Sequence, residues 1–226
     1  MKKISEVIRE RIKADGGNYN ANENISKYIY ANELDELQEE LAENLQSVLN
    51  TLIIDTENDH NTQETAKRVA KMYLKEVFSG RYFERPTVTD FPNAKELDEI
   101  YTLGPIDLRS ACSHHFVEIE GSVWIGILPS DRVIGISKFA RLLNWIANRP
   151  HIQEEMSIML ADELESLIKP KGLAVVIKAK HHCMTWRGVK EKNVTMVNSV
   201  LRGEFRENPQ LKKEFFDIIR GQGFEN

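Results

Sequence analysis

The chain has 226 residues, 30 basic against 35 acidic, for a formal net charge of −5, and is 41% hydrophobic and 29% charged. That size holds one large domain or a domain with an extension, that composition is too apolar for disorder, and a mildly acidic chain is a poor match for nucleic acid, whose backbone demands a basic surface. No apolar run reaches the roughly 18 residues of a membrane span, and the first ten residues lack an apolar stretch followed by a cleavage site, so a cytoplasmic protein with no membrane partner is expected.

The amino-terminal third reads as helical. Apolar residues recur every three or four positions over 2–14 and about 32–50, where Leu34, Leu37, Leu41, Leu45, Val48 and Leu49 mark one face. The polar stretch between them, opening on Gly16-Gly17, reads as a loop. A third helix is expected from Asn61 or Thr62 to Phe78, stopped by Ser79-Gly80. From about Leu97 the pattern changes to strands. Residues 116–121 and 122–128 read as a hairpin turning at Gly121-Ser122 and closed by Pro129. Helices over about 138–148 and 151–168, strands over 173–183 and about 194–201, and a last helix over 209–220 complete the chain. The order predicts an α+β fold, antiparallel strands with long helices on one side.

There are only two cysteines and six histidines, and four of the histidines flank the cysteines, in Cys112-Ser-His-His115 and His181-His-Cys183. Random scattering does not produce this. A disulfide is unusual in a cytosolic chain and gives no reason for the histidines, and buried free thiols give none either. Thiolate with imidazole favours zinc, although the sequence does not exclude iron. Cys112 and His115 are spaced for one ion, with His114 aimed elsewhere. If the second strand runs on to Cys183, period-two alternation puts His181 and Cys183 on one face and His182 on the other. This favours Cys112, His115 and Cys183 as three ligands with an open fourth position, the arrangement of catalytic zinc, which makes hydroxide available near neutral pH. His114 and His181 could then move protons. A closed structural site with His114 or His181 as fourth ligand is the alternative.

Basic residues recur at helical spacing in Arg68-Val-Ala-Lys71 and Lys138-Phe-Ala-Arg141, and Arg187 follows the second cluster by four positions. Each pair alone is as readily a solvated helix face. Convergence near a metal would suit a phosphate chain, for which Arg offers bidentate contacts and Lys a point charge.

Six segments resemble the GTP cyclohydrolase I family, in family order and spacing over roughly 45–221: Thr65-Ala-Lys-Arg-Val-Ala-Lys-Met-Tyr73, Phe78-Ser-Gly80, Cys112-Ser-His-His-Phe116, Val133-Ile-Gly-Ile-Ser-Lys138, Arg149-Pro-His-Ile-Gln-Glu154 and His181-His-Cys-Met-Thr-Trp-Arg-Gly188. The resemblance implies a T-fold catalytic domain over 61–226, a four-stranded antiparallel sheet with two long helices on one face, preceded by a helical extension over 1–60. It also implies a toroidal homo-oligomer, typically a decamer, with sites where subunits meet. Cys112, His115 and Cys183 would bind one zinc per subunit. Glu154, assisted by Gln153, would grip the guanine edge of GTP, and Arg68, Lys71, Ser137, Lys138, Arg141 and Arg187 would hold the triphosphate. His181 would protonate N7, His114 would shuttle protons, and Ser137 would stand near the later rearrangement to 7,8-dihydroneopterin triphosphate. A catalytically altered or silent member acting on another purine or pterin, or as a scaffold, is the alternative. Departures from the family pattern fall at Ser113, Ala66, Trp186 and the 194–200 run. The zinc nucleobase deaminases are a poorer match, because their H-x-E and P-C-x-x-C elements are missing.

Overall fold

The computed structural model describes residues 2–224, and the chain divides into two compact units, one up to Glu84 and one from Arg85 onward. In the first unit, α1 (Ile4–Ala14) and α2 (Glu33–Thr51) form where the apolar spacing predicts. α1 buries Ile8 and Ile12 against Ile25 and Tyr28, so the intervening segment is not all loop and includes a 3-10 turn over Ser26–Tyr28. Arg11 joins the two helices through a two-pronged pair with Glu33 at 2.5 and 2.6 Å and a bond to the Tyr28 carbonyl at 3.0 Å. α3 (Thr65–Met72) begins later than expected, and Ser79-Gly80 does not stop the helical path. A wide π turn over Tyr73–Val77 leads into α4 (Ser79–Tyr82). The turn persists because Asn24 donates to the Gly80 carbonyl at 2.9 Å and the Ile25 amide donates to that of Arg81 at 2.8 Å, which satisfies groups a helix end leaves bare.

The second unit runs β1 (Asp90–Pro92), β2 (Tyr101–Cys112), β3 (Glu118–Leu128), β4 (Arg132–Ile134), α5 (Ile136–Ala147), β5 (Pro150–His151), α6 (Gln153–Ile168), β6 (Gly172–His181), the single turn α7 (His182–Thr185), β7 (Met196–Gly203), the turn α8 (Glu204–Glu207) and α9 (Pro209–Gly221). Its main sheet has the order β5-β2-β3-β6-β7. The four long strands are antiparallel, as expected, and β5 adds a short parallel edge beside Ala111 and Cys112. β1 and β4 form a separate pair.

Both α5 and α6 cover one face, where Phe139, Leu142, Ile146, Met156, Leu160 and Leu164 pack on Val123, Ile125, Val175 and Ile177. The opposite face is covered too, by Phe205 of α8 and by Phe215 and Ile219 of α9 against Trp124, Ala174 and Val176, so helices lie on both sides rather than one. This double cover explains the unbroken apolar run 173–177, since a strand buried on both faces loses alternation.

The expected hairpin at Gly121-Ser122 is a single continuous strand. Gly121 pairs with Leu108 on one side and Ala179 on the other, and a Cβ there would stand 2.1 Å from the Lys178 carbonyl oxygen. Glycine serves the close approach of β6, not a turn. The helix expected from His151 starts at Gln153, because residues 150–151 pair with β2. No helix among the described residues is long and apolar enough to cross a membrane.

His151 is fully buried, and its Nε2–H donates to the Ile146 carbonyl at 2.7 Å. Burial pushes its pKa down to about 4. The unfolded chain therefore takes up this proton first as pH falls from about 6.5, so the stabilisation is complete above that value and lost toward pH 4, by about 3 kcal/mol. In urea unfolding of metal-free protein, the stability advantage of wild type over His151→Gln should shrink on going from pH 7 to 4.5. A pH-independent difference would show that His151 does not couple folding to protonation.

Candidate metal centre

The site forms where β2 and β6 end on either side of β3. Past Cys112 the chain closes a tight loop: the Phe116 amide donates to the Cys112 carbonyl at 2.8 Å and the Cys112 amide to that of Val117 at 2.8 Å, with Phe116 at a φ of 54°. That loop carries His115 back beside Cys112. β6 does not run on to Cys183 but ends at His181, and the turn of α7 swings Cys183 in, so the alternation expected for residues 181–183 is replaced by a helical turn. The ligand atoms of Cys112, His115 and Cys183 all lie within 4.8 Å of one another, and no fourth His, Cys, Asp or Glu joins the group among the described residues.

The donor set fits zinc. Zn–S bonds of about 2.3 Å at a tetrahedral angle place two sulfurs about 3.8 Å apart, so an ion is accommodated by an inward shift of about 1 Å or less. Burial pushes the Cys183 thiol up, and the neighbouring Cys112 sulfur adds to this. A cation bound beside Cys183 would oppose this shift and favour its thiolate.

Around this group, His114 places Nδ1 3.7 Å from Cys112 Sγ. His182 turns away toward Glu120, 3.1 Å distant. His181 is half-buried, its pKa lowered by that burial against the opposing charge of Glu154, and its Nε2 lies 2.8 Å from Gln153 Oε1. Gln153 has no exposed surface, while Glu154 beside it is exposed. Arg187 donates from Nη1 to His115 Nε2 at 2.9 Å. Ser137, Lys138 and Arg141 occupy the first turns of α5, with Lys138 Nζ donating to the Thr87 carbonyl at 3.2 Å. Arg68 and Lys71 are exposed on α3 of the first unit.

Two polar residues of this neighbourhood escape the motif reading. Asn198 of β7 accepts from Gln153 Nε2 at 2.7 Å and donates to Ser157 Oγ at 2.6 Å. The available signal was an Asn between Met196 and Val200 at an inward strand position, and a Ser next to Met156 on an otherwise apolar helix face.

Two sulfurs and one imidazole converging where the strands end, with no fourth such side chain among the described residues, give this α+β protein a group that could hold a metal ion. The family model for GTP cyclohydrolase I matches residues 36–220. "GTP cyclohydrolase 1" of Actinobacillus pleuropneumoniae serotype 5b is 36% identical over 186 residues, 82% of this chain and 85% of the relative. The proteins of that name from Aliivibrio salmonicida and Haemophilus influenzae (strain PittEE) are each 34% identical over 187 residues, 82% of this chain and 86% and 85% of their own lengths. The chain belongs to the GTP cyclohydrolase I family, and it is a hydrolase. Among solved structures, an apo archaeosine synthase QueF-Like aligns over 53% of this chain and 97% of its own at 14% identity, with a TM-score of 0.36, a likeness too slight to bear on function.

A neutral imidazole has one lone pair, so the Arg187 bond to His115 and a metal bond to His115 exclude each other. In a chelator competition, Cys183→Ser should lower zinc affinity by more than about 100-fold, beyond the 10–100-fold cost usual for an outer partner, whereas Arg187→Ala should bind zinc as tightly as wild type or more so. Unchanged zinc affinity in Cys183→Ser would remove that residue from the ligand set.

Proposed function

We propose that this protein hydrolyses GTP at C8 of the guanine, releases formate and rearranges the remainder to 7,8-dihydroneopterin triphosphate. The reading is supported above all by the Cys112, His115 and Cys183 group in a chain of this family. Zinc, one per subunit, supplies when bound a Lewis acid that makes water nucleophilic near neutral pH.

The chain's own residues then divide the remaining work. The exposed Glu154 carboxylate, next to Gln153, accepts from the guanine N1–H and 2-amino group. Adenine offers no such pair of donors there and leaves a charged acceptor unmatched, which is costly. His181 gives a proton to N7, which makes C8 more electrophilic, and water adds there. The C8–N9 bond opens, N9 takes a proton, and a second water cleaves the N7-formyl group to formate. His114 moves protons while the ribose opens and undergoes an Amadori rearrangement, with Ser137 close to that step. Ring closure returns one water, so one is consumed overall. Arg68, Lys71, Ser137, Lys138, Arg141 and Arg187 hold the triphosphate in a cytoplasmic homo-oligomer, a decamer with sites where subunits meet, and residues 61–226 form the catalytic part behind a helical extension over 1–60.

Zinc-loaded protein given GTP should release formate stoichiometrically with a reduced pterin chromophore. Glu154→Gln should lower kcat/KM for GTP by about 100-fold or more with zinc content unchanged, since it meets the base and not the metal. Equal loss of zinc in that variant would contradict its assignment, and ammonia in place of formate would overturn the reaction class.

A further inference from the structure

We infer that Asn198 is a positioning residue that fixes which nitrogen of His181 faces the substrate, acting through the side-chain amide of Gln153. The inference rests on the reading of His181 as the proton donor to the purine, but its structural half stands without it.

The argument turns on hydrogen-bond polarity along one chain of contacts. Gln153 Nε2 approaches the Ile177 carbonyl at 3.2 Å, the Met196 carbonyl at 3.2 Å and Asn198 Oδ1 at 2.7 Å. Carbonyl oxygens only accept, so the nitrogen end of this amide must face them, with one hydrogen on Asn198 and the other shared by the two longer contacts. The oxygen end is thereby left 2.8 Å from His181 Nε2, and it too only accepts. His181 satisfies it only by carrying a proton on Nε2. That leaves Nδ1 as the nitrogen through which His181 exchanges a proton with a bound purine, while Nε2–H stays with Gln153.

The far end of the chain is equally determined. Ser157 Oγ donates to the Glu154 carbonyl at 2.8 Å, again an obligate acceptor, so its lone pair receives Asn198 Nδ2 at 2.6 Å. Asn198 must then present Oδ1 to Gln153. Reversing either amide would set two acceptors or two donors against each other inside the fold, where Gln153 and Ser157 are wholly buried. Asn198 is the cross-strand partner of Ile177, so the ladder between β6 and β7 holds this node in register with the strand that delivers His181. The same chain ends on the backbone of Glu154, the residue proposed to hold the guanine edge. One rigid network therefore sets the spacing between the base anchor and the proton donor.

The test uses zinc-loaded protein labelled with nitrogen-15 at histidine, comparing wild type, Asn198→Leu and Asn198→Thr. A Thr hydroxyl both accepts and donates and suits a strand, so it serves as the conservative rescue. In wild type, His181 should be the Nε2–H form. In Asn198→Leu the Nδ1–H form should become populated, kcat for formate release should fall on the order of tenfold with KM and zinc content held, and Asn198→Thr should restore most of both. Retention of pure Nε2–H in Asn198→Leu, or a rise in KM with kcat unchanged, would overturn the positioning role. If the tautomer shifts while formate release does not, the positioning stands and the reading of His181 as proton donor fails. Should Asn198→Leu lose zinc or fold poorly, the decision passes to Asn198→Thr: wild-type tautomer and kcat support the role, and a scrambled tautomer in a folded, zinc-bound protein overturns it.

Discussion

The centre depends on the register of three strands. Ile119 of β3 stands opposite Ser110 of β2 on one side and His181 of β6 on the other, so a single residue of the middle strand sets the height at which both cysteine-bearing ends arrive. Cys112 and Cys183 lie about seventy positions apart in sequence, yet each follows its anchoring pair by only two residues. A slip of one residue in either ladder would turn the ligand side chains to the wrong face, and burial of both faces of β6 makes such a slip costly. The placement of these candidate ligands therefore comes from a packed core.

β5 reinforces this at the other side of Cys112. Its parallel pairing with Ala111 and Cys112, with the Ser113 amide donating to the His151 carbonyl at 2.9 Å, clamps the loop at the point where Cys112 leaves the sheet. Gln153, two residues further on, begins α6 and meets His181. A short stretch of chain thus secures Cys112, one of the candidate ligands, by its backbone and His181 by a side chain. The hydrogen bond from buried His151 to Ile146 ties the same stretch to the end of α5, where the helix covers the core.

The clustering of histidine around cysteine was legible because those residue types are rare and their juxtaposition has few physical causes. Helices α1, α2, α5, α6 and α9 were legible to within a few residues because periodic apolar faces are local signals. What failed was what depends on a neighbour. Gly121-Ser122 has the local chemistry of a turn, and only the carbonyl of Lys178 pressing against it explains why glycine stands inside a strand. The end of β6 at His181 was hidden because a helical turn and an extended continuation place residues 181 and 183 near one another about equally well. Ser79-Gly80 reads as a stop until the hydrogen bonds from 24 and 25 are known. Asn198 and Ser157 could be seen as misplaced polar residues, but their roles depend on which acceptors surround Gln153, and no single-sequence pattern carries that.

Of the positions at which the sequence differs from the family pattern it resembles, Ser113, Ala66 and Trp186 supply no side chain to the candidate ligand group. Ser113 enters the centre through its backbone amide, which any residue but proline supplies, so the side chain there is free to vary without moving Cys112. Ala66 is buried on α3, where a small residue is accepted by close helix packing. Trp186 is 73% exposed in the segment leading to Arg187. The one departure that reaches inward is the 194–200 run, because it contains Asn198. That run contacts Gln153 through Asn198 and so reaches His181, while the Cys112, His115 and Cys183 group lies apart from it.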